Sequence, residues 1–66
     1  LISTEKLFIQ GIEALEAENY AEAEKKLKKV ARSKADQSKK AQIILAALSL
    51  KEECENLLRK LDNAGG

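Results

Sequence analysis

The sequence predicts an all-α fold: an antiparallel helical hairpin followed by a longer third helix. Three observations carry that expectation. Proline is absent and glycine occurs only three times in 66 residues, so little interrupts a helix. Ala, Leu, Glu and Lys dominate, and these are strong helix formers. The apolar residues recur at spacings of three and four, the period of a helix with one buried face. A sheet is disfavoured, since Phe8 and Tyr20 are the only aromatics and β-branched residues are few. The charge-rich stretches would also suit a disordered chain, but a 44% hydrophobic content at regular spacing favours folding.

The first helix is expected over about residues 4–17. Ser3 or Thr4 caps it, and Glu5 meets the positive end of its dipole. Leu7, Phe8, Ile9, Ile12 and Leu15 form its apolar stripe. A tight turn at Glu18-Asn19 follows. Asn19-Tyr20-Ala21-Glu22 then reads as a capping box opening a second helix over about 20–34, with Tyr20, Ala23, Leu27 and Val30 in line on one face. The second break lies between Ser33 and Ser38, with Asp36 as the first capping candidate and Ser38 as the second. The third helix is expected over about 37–61. Ile43, Ala47, Leu50, Cys54, Leu57 and Leu61 alternate spacings of four and three along it, a continuous seam. Ser49-Leu50-Lys51-Glu52 also has the form of a capping box, but no Gly, Asn or Pro marks a turn there, so one helix is favoured over two. Residues 62–66 read as a fraying tail. The chain reads as a single module of residues 1–61, and a start at Leu1 instead of Met suits a piece of a longer protein or a processed form.

The chemistry points away from an enzyme. Histidine is absent, which removes the usual general base and the commonest metal ligand. Cys54, the one cysteine, lies on the apolar seam and reads as a buried structural residue; its acidic neighbours Glu52, Glu53 and Glu55 are not the positive surroundings that a reactive thiol needs. Those three glutamates are spaced so that they scatter around a helix, which does not assemble a metal site. No glycine-rich loop is present to cradle a phosphate, so no cofactor is expected. One cysteine and no signal-peptide pattern place the chain in the cytoplasm as an expectation.

Two features suit binding. Lys25, Lys26, Lys28, Lys29, Arg32 and Lys34 make a basic stretch after an acidic first half. It satisfies the second helix's dipole or forms an anion-binding surface. No aromatic side chain lies among these lysines to stack on bases, which weakens the nucleic-acid version; nucleic acid and anionic membranes are both the less favoured partners. The run Ile43 to Leu48 is apolar on every side. With one face on the hairpin, Ile44, Leu45 and Leu48 offer surplus apolar surface for a partner or a homodimer.

Residues 7 to 35 resemble one tetratricopeptide repeat, a helix-turn-helix of about 34 residues. Gly11 matches the small residue of its first helix. Tyr20, within Asn19-Tyr20-Ala21-Glu22-Ala23, matches the aromatic that opens its second. Ala23 matches the small residue at the helix crossing, and Leu27 and Val30 the apolar positions that follow. Leu7 stands where the family has tryptophan, Gln10 where it has leucine, and Ala35 where proline usually ends the repeat. A faint second copy places the third helix as a degenerate repeat or capping helix. The resemblance implies a protein- or peptide-binding module whose groove is lined by Glu5, Phe8, Ile12, Leu15 and Glu16. Asn19 to Ala23 and the long third helix are also similar to the microtubule-interacting-and-trafficking domain, a three-helix bundle that binds peptides. A basic helical module for nucleic acid or membrane surfaces is the remaining alternative.

Overall fold

The computed structural model describes residues 2–65 and contains three helices: α1 (Thr4–Glu16), α2 (Tyr20–Ala31) and α3 (Ser38–Gly65). The protein is all-α, an antiparallel hairpin plus a longer third helix. α1 and α3 both pack on α2 and barely touch each other. The molecule is correspondingly long and thin, 50 × 20 × 14 Å.

Each boundary has a local cause. Ser3 caps α1, its Oγ accepting from the Lys6 backbone N–H at 3.1 Å. The α1 C-terminus closes with two backbone bonds: Glu18 N–H to the Leu15 carbonyl at 3.0 Å and Asn19 N–H to the Ala14 carbonyl at 2.8 Å. This is a Schellman closure, which needs a left-handed residue after the cap. Glu18 fills that place at φ 61°, although glycine is the residue that adopts it without strain. The side chain of Asn19 then opens α2 by accepting from Glu22 N–H at 3.4 Å. The expected reciprocal arm of the capping box is replaced: the Asn19 N–H already serves Ala14, and Glu22 pairs with Lys26 at 3.7 Å.

The second connection departs further from expectation. α2 ends at Ala31 instead of near residue 34, where Ser33 Oγ donates to the Val30 carbonyl at 2.6 Å and accepts from Ala35 N–H at 3.3 Å. Such local side-chain bonding competes with the helix ladder. Asp36 makes no capping bond among the described residues. Ser38 reaches back instead, its Oγ donating to the Ala31 carbonyl at 2.8 Å, with Gln42 Nε2 donating to the same oxygen at 3.4 Å. These bonds tie the start of α3 to the exposed carbonyl end of α2. α3 is one unbroken helix and runs through the expected tail as far as Gly65; Leu1 and Gly66 lie outside the described residues.

The core is one strip. Ala23, Leu27, Val30 and Ala41 are fully buried, with Leu7, Phe8, Ala14, Leu15, Ala31, Ile44 and Leu45 packed around them. Ile9, expected on the buried stripe of α1, is half exposed. Gly11 is buried and faces Leu27 of α2. A Cβ built on Gly11 would lie 2.8 Å from Leu27 Cδ2 and 2.9 Å from Leu27 Cγ. Nearby, the Gln10 carboxamide oxygen is sealed from solvent without a partner, an arrangement that costs about 1–3 kcal/mol.

Two substitutions test this packing. Gly11→Ala gains about 1 kcal/mol of helix propensity, but Leu27 is enclosed and overpacking costs about 1–3 kcal/mol; urea melts are expected to show a less stable protein. A more stable variant would mean that Leu27 moves aside freely. Glu18→Gly removes the left-handed penalty of about 1–2 kcal/mol, less glycine's entropic cost. Its urea midpoint is expected to rise, and a lower midpoint would show that the Glu18 side chain has a compensating role.

Candidate functional site

The face assigned to peptide binding does not gather into a groove. Glu5 and Glu16 are exposed, while Phe8 and Leu15 are half-buried against the core and Ile12 is half-buried beside them. A groove lined by α1 would need α3 alongside it, and those two helices barely meet. The described residues enclose no cavity.

The basic stretch is partly assembled. Lys25, Lys28, Lys29 and Arg32 recur at helical spacing on the side of α2 opposite Ala23, Leu27 and Val30, and all four are exposed. Lys26 is turned aside, half-buried and paired with Glu22, and Lys34 lies in the loop. Lys28 and Lys29 occupy the last turn of α2, where the dipole favours them. Arg32 Nε donates to the Lys28 carbonyl at 3.4 Å.

The structure reverses the sequence reading of α3. Leu48 is 7% exposed, and Ile44 and Leu45 pack against the hairpin core, so the residues assigned to a partner surface belong to the chain's own interior. The seam expected to pack on the hairpin points outward. Ile43 is 69% exposed, Leu50 65%, Leu57 58% and Leu61 59%; Ala47 and Cys54 are exposed as well. At about 100° per residue the two sets lie on roughly opposite sides of the helix. The polar ties explain which side won. Ser38 and Gln42 bond to the end of α2, and one helical face further on the Lys51 ammonium lies 4.2 Å from the centre of the Tyr20 ring. Residues 38, 42, 45, 48 and 51 follow one another around that face, so these contacts turn Ala41 and Leu48 inward. Lys51 also reaches Glu55 at 3.2 Å, and this hydrogen bond, foremost among its surroundings, raises its pKa above the ordinary value. No sequence pattern signals the Lys51–Tyr20 contact. The seam itself was visible, and its excess length over α2 was the signal that α2 cannot cover it.

From Ser49 to Gly65 every residue is exposed. α3 has 28 residues and α2 only 12, so α3 overhangs the hairpin by roughly 20 Å. Among the described residues no group of Cys, Asp and Glu is placed to hold a metal, and no helix is long and apolar enough to cross a membrane. Comparison with protein-family models, curated proteins and solved structures found no match to this chain.

The two faces of α3 respond differently to charge. At concentrations low enough to keep the chain monomeric, Leu48→Lys is expected to cost more than about 3 kcal/mol, because it places an unpaired ammonium in the core. Leu57→Lys is expected to stay within about 0.5 kcal/mol. Equal effects in thermal melts would contradict the assignment of the faces.

Proposed function

We propose that the chain is a non-catalytic protein–protein interaction module that binds through the outer face of α3. One observation carries this reading: α3 is apolar on two opposite sides, and α2 covers only one. An exposed stripe of Leu and Ile side chains, uncovered along a helix, is the usual mark of a macromolecular contact. The resemblance to a tetratricopeptide repeat is consistent with it. The close seat of Leu27 on Gly11 suits that hairpin, and α3 takes the place of a following or capping helix. The bundle reading has less support, since a closed three-helix bundle needs α1 against α3. The basic face of α2 supports the nucleic-acid or membrane alternative only through charge, which α2's dipole already accounts for.

Cys54 sits within the proposed surface and offers a direct test. With a benzophenone attached at Cys54, illumination in an extract of the source cells is expected to give polypeptide adducts of discrete mass. Replacing Leu50 and Leu57 with Lys is expected to abolish them. Absent adducts, or adducts indifferent to those replacements, would contradict the reading.

A further inference from the structure

Resting on that reading, we propose that the outer face of α3 is occupied by α3 of a second copy of this chain, antiparallel, in a register that sets Glu53 beside Lys60 of the second copy. The geometry starts from the seam. Ile43, Ala47, Leu50, Cys54, Leu57 and Leu61 keep the alternation of four and three that lets two helices stay in contact along their length. Ala64 continues it. The hairpin lies on the far side of α3, so a second helix meets no obstruction from it.

The exposed area matches what such a partner removes. A compact monomer of 7.3 kDa exposes about 4,200 Å², whereas this chain exposes 5170 Å². The excess of about 1,000 Å² compares with the roughly 800 Å² that each partner buries in a standard interface. The radius of gyration, 14.4 Å, likewise exceeds the roughly 11 Å of a compact chain of this length. Residues 52–65 are all exposed and none belongs to the core or packs against it, and a helix of that length is marginal alone in water.

Charge selects the register. In the antiparallel arrangement that seats Cys54 against Leu57, Leu50 against Leu61 and Ala47 against Ala64 of the second copy, Glu53 flanks the seam beside Lys60, twice by symmetry. Neither side chain makes a salt bridge within its own chain among the described residues. Sliding by one heptad toward the hairpins sets Glu53 against Glu53 and Lys51 against Lys51, and sliding the other way sets Lys60 against Lys60. Both like-charge alignments are unfavourable. A parallel, in-register pair places Glu53 beside Leu58 and gains no ion pair. The chosen register also lays each unsupported end of α3 on a stretch of its partner that reaches back to the supported part.

Sedimentation equilibrium of the intact chain and three charge variants tests the proposal. The native chain is expected to dimerise between micromolar and millimolar concentration. Glu53→Lys and Lys60→Glu, each turning two attractions into repulsions, are expected to weaken the dimer about tenfold. The combined variant is expected to return within about twofold of the native chain. All three changes lie on exposed positions, so circular dichroism at low concentration is expected to stay unchanged. In a Cys54→Ser/Leu50→Cys/Leu61→Cys variant, mild oxidation is expected to join position 50 of one chain to position 61 of the other. Two cysteines eleven residues apart on one helix are about 16 Å apart and cannot join each other. A native chain monomeric at millimolar concentration would overturn the proposal. So would single charge variants without effect, or joins of 50 to 50. If a monomeric chain still forms the Cys54 adduct with another polypeptide, the interaction reading stands and the second-copy occupant is removed.

Discussion

Leu27 sits at the centre of α2, fully buried, with Gly11 of α1 close against it and with Ala23, Val30 and Ala41 as its buried neighbours. Because α1 and α3 meet α2 but hardly each other, this strip of small and medium side chains holds the whole tertiary structure. A chain of this size buries only about 60% of its unfolded surface, so few contacts stand in reserve. The missing side chain at Gly11 lets α1 approach α2 closely enough to enclose Leu27. On α3, the fully buried member of the same strip is the small Ala41. Any enlargement of that strip separates the layers that depend on it.

A second constraint follows from length. α2 can cover about one half of α3, and the polar ties from Ser38 and Gln42 to Ala31, with Lys51 over Tyr20 at the other end, fix which face of that half is covered. The remaining apolar residues are left outside by arithmetic of length and by rotation, not by weak packing. The opposite face then holds a straight row of Leu, Ile, Ala and Cys along a helix that extends beyond its own hairpin. A surface of that shape suits another helix better than a small ligand, which needs a concave site.

Much of the fold was legible in the sequence. The absence of proline, the stripes at helical spacing, Ser3 and Asn19 as caps and the tight turn at Glu18 all describe local chemistry, and the helix order follows from them. The single long α3 was readable because no turn residue lies near Ser49. Three things were not readable. α3 presents two competing apolar faces, and periodicity cannot say which one a neighbour takes. The choice rests on tertiary bonds from Ser38 and Gln42 and on the Lys51–Tyr20 stack. For the same reason Cys54, expected inside, is outside. α2 stops at Ala31, short of the expected residue 34, where the Ser33 hydroxyl takes the Val30 carbonyl and Ser38 and Gln42 take that of Ala31, bonds that helical spacing does not reveal. The groove of α1 failed to appear because it depends on how far α3 leans toward α1, a relation with no signature in either helix.

The central claim is that the two halves of α3 are held by different partners: its first half by α2, its second by another chain. Amide hydrogen exchange followed as a function of protein concentration measures this directly, since it reports local opening segment by segment. The account predicts that residues 41–48 exchange at a rate that follows the stability of the hairpin core at every concentration. Residues 52–65 exchange fast in dilute solution and become protected as concentration rises. Protection of residues 52–65 that is the same at all concentrations, whether strong or absent, would contradict it.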